Sequence, residues 1–502
     1  MGATVGHPAK GSCSLRALAP LPVDVRPAPA PLTSWRVTGS SRHPLARYLH
    51  AMPRQPGGPA GEVVVLGGAW SRDAAVTLLS AAGRRTRWVT LVHTGAGGGS
   101  LLRGFAAQRP GLSVRAIEIP EPTTTAVRTA ACLLGGPPHA EGDLVVHGAG
   151  AITATGWRPV ALPARTPRFA GMTVLVTGGL GDLGVRTAAM LARLGAVPVL
   201  ADVRAPEGAP DDVRRYLEVI RRLAPDTRTV RLDLRDPALV AALLAGLRPQ
   251  AIVHCAGRIA GGAARDLGAD DVQALVAAKV DTLRHVVRVT GHDGLRAVLA
   301  FGSVTARGAH PGLYGYALAN ELLRREVARL AAARPLTRWC TAEWSLWSGA
   351  GMARHVARAA PRRLGMVPVP VLAGTLAAAR LVGALTARKG RPIPQSLVIA
   401  GEHPGAEGAR AGRPEGLPGI DASMAIPPGS DLSEAMLATA GAAMPGARLA
   451  AEDGTGAPGT FPESAVVRAV VRGDAIECSV LRADPVPGAP LRRCRYWIQP
   501  ES

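Results

Sequence analysis

The stretch that decides the fold reads Met172-Thr173-Val174-Leu175-Val176-Thr177-Gly178-Gly179-Leu180-Gly181-Asp182-Leu183-Gly184. Its apolar beginning predicts a buried strand over 173–176, and the apolar spacing that follows predicts a helix. Glycines between the two elements let the backbone turn sharply and approach a pyrophosphate closely, while the helix N-terminus presents free N–H groups. Glycines also serve ordinary tight turns, but the strand-to-helix context favours a dinucleotide-binding site.

The segments on either side of this stretch alternate between strand and helix. Short apolar runs at 62–66 and 88–92, with a helical pattern around Leu101 to Ala107, predict an α/β block over 62–165. A second block contains strands and helices of similar length, which predicts βαβ units and a parallel sheet. Its predicted elements are strands at Val197 to Leu200, Thr229 to Leu232, Ala251 to His254, Ala297 to Phe301 and Ser396 to Ala400, and helices at Val213 to Leu223 and Ala319 to Ala332.

Composition divides the chain into five parts. Five prolines between Pro20 and Leu32 predict an extended N-terminal linker. The parts are a Pro-rich segment (1–61), two α/β regions (62–168 and 169–401), a Gly/Pro-rich linker (402–432) and a C-terminal tail (433–502). Alternating residues at 465–471 and 476–481 predict two strands in the tail that pair as a hairpin.

The end of the second strand after the glycine stretch is expected to contact the adenosine ribose. It reads Leu200-Ala201-Asp202-Val203-Arg204. An aspartate at this place accepts a hydrogen bond from the 2′-hydroxyl of NAD, whereas Arg204 suits the 2′-phosphate of NADP. The residues therefore leave the choice of cofactor open.

Four residues farther along the chain form a candidate catalytic set. Tyr316 and Asn320 are spaced as Tyr-x-x-x-Asn at the start of a predicted helix, and Ser303 lies 13 residues before Tyr316. Lys279 lies on another predicted helix, 24 residues before Ser303. Because strand ends and the following helices converge at the carboxyl edge of a parallel sheet, we expect the four side chains to meet beside the cofactor.

These residue types match the chemistry of ketone reduction, which needs a hydride at carbon and a proton at oxygen. Tyr316 is the candidate proton donor; because the ordinary pKa of tyrosine is ~10, a nearby Lys279 ammonium is expected to lower it. The Ser303 hydroxyl is expected to stabilise charge on the carbonyl oxygen, and Asn320 to order a water that relays the proton. Each residue alone also has an ordinary explanation as a turn, a helix cap or a packed aromatic. Only three of the 58 basic residues are lysine, however, which favours a functional Lys279.

Composition limits the other functional classes. The 502-residue chain is 47% hydrophobic, enough for a sizeable core, and its net charge of +21 suggests anionic partners. Nucleic acid is not expected as a partner, because aromatic residues make up 3% and no nucleic-acid-binding motif occurs. Six scattered cysteines without a C-x-x-C pair argue against a metal site or disulfide framework. No stretch resembles a signal peptide or membrane span, so a soluble, cytoplasmic protein is expected.

The same residues resemble the ketoreductase domains of modular (type I) polyketide synthases, a branch of the short-chain dehydrogenase/reductase superfamily. In this branch an Asn follows the catalytic Tyr, and the Lys lies on the preceding helix. The resemblance covers roughly Val63 to Gly401. Its motifs are Thr177-Gly178-Gly179-Leu180-Gly181, Asp233-Leu234, His254-Cys255-Ala256-Gly257, Phe301-Gly302-Ser303 and the runs from Pro311 to Asn320 and from Trp344 to Ala353.

The resemblance implies an α/β fold of two Rossmann-like, doubly wound parallel-sheet subdomains, the first structural and the second catalytic, with a small β-rich C-terminal tail. It implies NADPH-dependent reduction of a β-ketoacyl thioester on an acyl carrier protein to the β-hydroxyacyl thioester, and contacts with other synthase domains. NADH is the alternative reductant. The tail also resembles strands of a dehydratase-like hot-dog domain. The residues implied for the cofactor are Thr177, Gly178, Gly179, Leu180, Gly181, Leu183, Asp202, Arg204, Asp233, Leu234, Ala256 and Gly257.

Several residues depart from the family pattern and keep two alternatives open. Asp182 replaces a small residue beside the expected pyrophosphate, and Asp202-Val203 replaces a Ser-Arg pair. These departures favour a catalytically silent reductase-like scaffold, which the intact catalytic set opposes. An NAD-linked enzyme that modifies sugar nucleotides is the other alternative, although that class normally has Lys where this chain has Asn320.

Overall fold

The computed structural model describes residues 15–401, apart from 28, 31–33, 54–60, 85, 110, 137–142, 261–267, 309, 352–367 and 388–391, and five strands between 422 and 500. Fourteen of the described strands form one continuous sheet, which consists of a first half (residues 35–159) and a second half (173–401) joined by an N-terminal strand. The prediction of an α/β fold with two Rossmann-like parallel halves is confirmed.

Most strands of the second half are apolar runs buried on both faces, as in parallel sheets that helices cover on either side, and the edge strand is the exception. All seven residues from Ala297 to Ser303, for example, are buried. The strands are β8 (Thr173–Thr177), β9 (Val197–Asp202), β10 (Arg228–Arg231), β11 (Ala251–His254), β12 (Ala297–Ser303), β13 (Arg338–Trp344) and β16 (Ser396–Gly401), with a small separate pair, β14 (Trp347–Ser348) and β15 (Val369–Pro370). The helices are α5 (Asp182–Arg193), α6 (Asp211–Leu223), α7 (Pro237–Leu244), α8 (Ala269–Val276), α9 (Thr282–Thr290), α10 (Tyr314–Ala333) and α11 (Val371–Thr386).

The strand order of the second half identifies the place where a ligand can bind. All seven strands are parallel, in the order β10-β9-β8-β11-β12-β13-β16. Because β8 has β9 on one side and β11 on the other, the chain reverses direction across the sheet at β8. Doubly wound sheets bind ligands at the carboxyl ends of the strands beside such a reversal. The glycine stretch follows β8 at this point.

The first half repeats this architecture on a smaller scale. Strands β2 to β6 are parallel neighbours, and β7 closes them in antiparallel pairing with β6. Its elements are β2 (Trp35–Gly39), α1 (Pro44–Ala51), β3 (Gly61–Gly67), α2 (Arg72–Gly83), β4 (Trp88–Thr94), α3 (Gly99–Ala106), β5 (Ser113–Glu118), α4 (Thr124–Cys132), β6 (Leu144–Val146) and β7 (Ile152–Pro159).

The N-terminal strand β1 (Leu15–Asp24) joins the two halves and corrects one expectation. The prediction that residues 1–61 are a Pro-rich linker is wrong where the structure describes them, because they contain β1, β2 and α1. β1 pairs antiparallel with β16 along one edge and with β7 along the other. Alternate side chains of β1 enter the core, and Ala17 and Ala19 are buried there. Its prolines Pro20 and Pro22 lie beyond the stretch that pairs with β16, where β1 pairs with β7 alone, and proline is tolerated in such an edge position.

The described part of the tail forms a separate antiparallel sheet. Its strands are β17 (Ala422–Ile426), β18 (Ala447–Ala451), β19 (Ala465–Arg472), β20 (Ala475–Arg482) and β21 (Arg495–Pro500), in the order β17-β19-β20-β21-β18. The predicted hairpin is confirmed, because β19 pairs with β20 along its full length. Strand β17 lies inside the predicted Gly/Pro-rich linker, so that boundary is wrong at 422–426; the rest of the linker lies outside the described residues.

Candidate active site

The glycine stretch between β8 and α5 is packed too closely to carry side chains. Gly178 has a φ of +65°, and a Cβ there would lie 2.8 Å from the Ala256 backbone nitrogen. A Cβ on Gly184, in the first turn of α5, would lie 2.1 Å from the Gly178 carbonyl oxygen. The loop therefore folds back onto its own helix, with Gly181 at the N-cap. This arrangement leaves the backbone open to a phosphate at the N-terminus of the helix, as the dinucleotide prediction requires.

A cleft of about 310 Å³ opens beside this loop at the carboxyl edge of the sheet. It contains most of the residues predicted to bind the cofactor, and its size and place suit part of a dinucleotide. The predicted residues that line it are Gly178, Gly181, Asp202, Arg204, Asp233, Leu234, Ala256 and Gly257. Seven further lining residues were not in the predicted cofactor set, namely Val203, Leu232, Arg235, Cys255, Arg258, Ala278 and Thr282.

Four predicted cofactor residues lie behind the cleft and support it. Leu180 is buried in the core, and a Cβ on Gly179 would lie 2.8 Å from Leu200 Cβ, so these two residues press the loop onto β9. Leu183 packs beside Gly351, and the Thr177 hydroxyl bonds a buried histidine described below. Their place indicates that they shape the cleft from behind.

Asp202 and Arg204 occupy different positions relative to solvent. The Asp202 carboxylate is 6% exposed and accepts hydrogen bonds from the backbone nitrogens of Leu180 (3.0 Å) and Arg204 (3.0 Å). The Arg204 guanidinium is 43% exposed and lies only 3.4 Å from Asp202 Oδ1. Asp202 thus holds the glycine loop against β9, whereas Arg204 remains available to an incoming anion.

Asp182, which departs from the family pattern, faces away from the glycine loop. Its Oδ1 accepts a hydrogen bond from Arg186 Nε at 2.6 Å, and its Oδ2 accepts one from the Gly351 backbone nitrogen at 2.7 Å. With both oxygens engaged, the carboxylate ties α5 to the turn after β14. Because Arg186 pairs with this carboxylate, its negative charge repels a nearby pyrophosphate less than an unpaired carboxylate would.

The candidate proton donor lies on the first turn of α10, where it meets Ser303 at the end of β12. The side chain of Tyr316 is hydrogen-bonded to those of Ser303 and Asn320. Asn320 Nδ2 also donates to the Tyr316 backbone oxygen at 2.8 Å, and Thr305 Oγ1 donates to Ser303 Oγ at 3.0 Å. Asn320 Oδ1 is buried and has no hydrogen-bond partner among the described residues. It therefore keeps an acceptor for the relay predicted from the sequence.

Lys279 lies on a distorted helical turn rather than on a regular helix. Residues Ala277–Asp281 form a π-helical segment between α8 and α9, a distortion that is common at functional sites. The Lys279 ammonium is 4% exposed and donates to the Phe301 carbonyl oxygen at 2.9 Å. A Cβ on Gly257 would lie 3.1 Å from Nζ. The structure thus brings Lys279 between the cofactor cleft and the strand that carries Ser303.

A residue outside the predicted site, His254 at the end of β11, holds this turn in place. Its Nε2 lies 2.8 Å from the Lys279 backbone oxygen, and its Nδ1 lies 2.7 Å from Thr177 Oγ1. Because a carbonyl only accepts, Nε2 carries the proton, and Nδ1 accepts from the Thr177 hydroxyl. Burial lowers the pKa of His254 to about 3, with the Lys279 charge adding to the effect, so the ring is neutral. The family motif contained this histidine, but sequence gave no signal for its bridging contacts.

The prediction that the Lys279 ammonium lowers the pKa of Tyr316 is wrong for this arrangement. Burial raises the pKa of Tyr316, and only the hydrogen bonds from Asn320 and Ser303 oppose the rise. Burial lowers the pKa of Lys279 to about 8. The physical reason is that both groups are removed from water, which disfavours the phenolate and the ammonium alike, while the ammonium is engaged by a carbonyl of β12.

The doubly wound sheet, the glycine loop and the Lys-Ser-Tyr-Asn set define a short-chain dehydrogenase/reductase type of oxidoreductase domain. Comparison with known proteins identifies the branch. Residues 172–348 match the family model described as the KR domain, and related sequences and structures come from polyketide synthases. Residues 172–348 of this chain are therefore a ketoreductase-type (KR) domain, and polyketide synthases are among the proteins similar to it.

Individual relatives show how much of the chain is shared. The polyketide synthase GfsA of Streptomyces halstedii is 35% identical over 225 residues, which are 44% of this chain and 3% of GfsA. The 5-methyl-1-naphthoate synthase of Streptomyces sahachiroi is 30% identical over 279 residues, which are 51% of this chain and 15% of that protein. Among these curated relatives, the matched region never exceeds that 15%.

A solved structure matches over both halves of the large sheet. The ketoreductase from the first module of phoslactomycin biosynthesis in a Streptomyces species aligns with a TM-score of 0.62 and 24% identity, over 77% of this chain and 93% of that one. At this identity the match establishes the fold alone. In the ranges that the structure describes, no helix is both long and apolar enough to span a bilayer.

Proposed function

We propose that this chain reduces a β-ketoacyl thioester, carried by an acyl carrier protein, to the β-hydroxyacyl thioester in polyketide biosynthesis, with NADPH as reductant. The observation that carries the proposal is the convergence of Tyr316, Ser303 and Asn320 in one hydrogen-bonded group at the carboxyl edge of the sheet. Lys279 lies between this group and the cofactor cleft.

The protein residues supply the proton and the charge stabilisation. When bound, the nicotinamide supplies a hydride to the ketone carbon, and the loop 178–181 with α5 would hold its pyrophosphate. Tyr316 donates its phenolic proton to the carbonyl oxygen, which becomes the hydroxyl of the product, and Ser303 donates a hydrogen bond to the same oxygen. A raised pKa keeps the phenol protonated at neutral pH, which suits a proton donor. A water that donates a hydrogen bond to Asn320 Oδ1 returns a proton to the phenolate.

The positions of two charged groups support NADPH over NADH. The Asp202 carboxylate, whose charge would repel a 2′-phosphate, is buried and accepts two backbone N–H groups. Arg204 extends into solvent at the same end of the cleft, where a guanidinium can bind a phosphate in bidentate geometry. Val203, which stands where the family has an arginine, is exposed but carries no charge. We therefore assign the phosphate contact to Arg204.

Turnover measured by the loss of reduced-nicotinamide absorbance tests the reaction. We expect Tyr316→Phe to lower kcat with a β-ketoacyl thioester by about 100-fold or more, as loss of a general acid does. Tyr48→Phe makes the same change on α1, far from the cleft, and is expected to leave kcat unchanged. Absence of turnover in the wild type, on free and carrier-bound thioesters with either cofactor, would establish the silent scaffold instead.

Cofactor choice has its own test. Arg204→Gln is expected to raise the KM for NADPH about tenfold while leaving the KM for NADH unchanged, because only NADPH carries the phosphate. An equal effect on both cofactors would contradict a 2′-phosphate contact. If the wild type prefers NADH, we would instead assign the contact with the ribose 2′-hydroxyl to Asp202.

The proposed carrier partner is supported by the net charge of +21 and by Arg258 at the cleft. An acidic carrier would be attracted by a basic surface, with an effect that added salt screens. We therefore expect the KM for the carrier-bound substrate to rise with ionic strength more steeply than the KM for the free thioester. Equal salt dependence would remove the electrostatic argument for the carrier.

A further inference from the structure

A second cavity, of about 1300 Å³, lies at the edge of the sheet opposite the glycine loop. It is bounded by the segment 158–172, which connects the two halves, and by the end of α11. Met172, Gln250 and Arg296 line it just before β8, β11 and β12 begin. Since a strand advances ~3.3 Å per residue, five-residue β8 separates this cavity from the cofactor loop by roughly 17 Å. The cavity is therefore not part of the active site.

The charged side chains that line the described part of this cavity are all basic. Five arginines line it, and no Asp or Glu occurs among its described lining residues. The arginines are Arg158, Arg165, Arg168, Arg296 and Arg380. All of them except Arg380 are exposed. A concave surface with charges of one sign attracts ligands of the opposite sign.

Arg380 is the exceptional member of this set. It lies on α11, is 3% exposed, and its Nε and Nη2 have no hydrogen-bond partner in the described part of the chain. Burial lowers the pKa of Arg380, and no acidic group acts on it in the opposite direction. A buried guanidinium without a counter-charge is costly to the fold. A ligand that brings an oxyanion would satisfy both donors and offset that cost.

The remaining lining indicates the kind of anion. Apolar side chains also line the cavity, including Val160, Leu162 and Ile393, and these are only partly buried. The volume exceeds the ~300–1,000 Å³ that is typical of sites for small molecules. A ligand that fills the cavity is thus large, carries several negative charges and presents apolar groups between them. An extended polypeptide with acidic and apolar residues has these properties.

We infer that this cavity binds an extended acidic segment of a partner protein, with one carboxylate reaching Arg380 and others meeting the arginines at the opening. The chain itself has 58 basic and 37 acidic residues, so a segment of another protein suits the role better. The inference does not depend on the proposed reaction, because the two sites lie at opposite edges of the sheet.

Fluorescence anisotropy of a labelled peptide that alternates Glu with Leu tests the inference on the full chain. We expect saturable binding that weakens with added salt, and a dissociation constant at least about tenfold higher for Arg380→Met. Arg222→Gln, which removes one exposed positive charge from α6, is the matched control and is expected to bind like the wild type. Turnover of a free thioester with NADPH should be the same in all three proteins.

The outcomes separate the alternatives. Equal binding by wild type and Arg380→Met, or no binding at all, would overturn the inference. Tight binding of inorganic pyrophosphate without binding of the peptide would also overturn it, in favour of a small phosphorylated ligand. If Arg380→Met does not fold, the double variant Arg165→Gln/Arg168→Gln replaces it, and unchanged peptide affinity in that variant counts against the inference.

Discussion

At the scale of single residues, the buried contacts of His254 explain how Lys279 is held. The neutral ring connects the end of β8 to the π-helical turn and satisfies the Lys279 carbonyl. The ammonium therefore points from a rigid turn toward Phe301 and the cleft. Prediction from sequence identified Lys279 by its rarity among arginines, but it misjudged the pKa values because these depend on burial, which the sequence does not display.

The pH profile of the reaction is expected to report on Lys279. Its pKa of about 8 means that the folded protein loses the ammonium as pH rises through that value. Because this ammonium lies between the cofactor cleft and the strand that carries Ser303, we expect its loss to lower kcat/KM above about pH 8. The sign for stability is opposite: an unfolded lysine keeps its proton to pH ~10.4, so between these values the unfolded state binds more protons and the free energy of unfolding rises with pH.

Above pH 8, kcat/KM and the free energy of unfolding are expected to change in opposite directions, which makes the prediction easy to check. A falling kcat/KM together with a constant or rising melting temperature above pH 8 would assign the change to Lys279. His254→Phe, which removes both bridging hydrogen bonds, is expected to lower kcat about tenfold and to alter this alkaline limb, while Thr177→Val, which removes one of them, has a smaller effect. An unaltered profile in His254→Phe would contradict a positioning role.

At the scale of elements, the turn from β8 into α5 depends on close backbone contact. The φ of Gly178 and the distance from Gly184 to the Gly178 carbonyl both exclude a side chain. This element was predictable from sequence because glycine is required there for local geometric reasons. The π-helical turn was not, because residues 277–281 have an ordinary helical composition and the distortion arises from contacts with β11 and β12.

A pair of glycine variants tests this element. In Gly184→Ala the new Cβ would lie 2.1 Å from the Gly178 carbonyl oxygen, so the loop must move away from the helix. We expect the dissociation constant for NADPH, measured by fluorescence titration, to rise about tenfold or more, together with a lower melting temperature. Gly83→Ala makes the same change at the end of α2, where a Cβ meets no atom within 4 Å, and is expected to alter neither quantity. Normal cofactor affinity in Gly184→Ala would show that the loop tolerates the shift.

At the scale of the whole molecule, an ion-pair network joins the two halves across α10. Glu321 is fully buried and accepts hydrogen bonds from the backbone nitrogens of Gly98 and Ser100 and from the Ser100 hydroxyl. Arg325, one turn later, pairs with Glu118 at the end of β5. The helix that carries the candidate proton donor is thus anchored in the first half. Sequence patterns separated the two halves but gave no sign of this network, because its members are distant along the chain.

Removing the central charge tests the coupling. We expect Glu321→Gln to lower the free energy of unfolding by about 3–5 kcal/mol, as breaking a buried ion pair does. Arginines nearby hold the pKa of Glu321 well below its usual range, so the carboxylate is charged at neutral pH. Glu218→Gln, on the exposed face of α6, is the control and should change stability by less than about 0.5 kcal/mol in urea unfolding. Equal stability of the two variants would show that the halves are held by apolar packing alone.

The position of β1 has a consequence for the order in which the molecule is assembled. β1 is synthesised early, yet one of its two neighbours, β16, is the last strand of the large sheet to leave the ribosome. Until then β7 and β16 cannot be bridged, and β1 pairs with at most one neighbour. Exposed strand edges of this kind pair readily with other chains. Closure of the sheet therefore requires a contact between the most distant parts of the folded core, which makes it a slow, late event in folding.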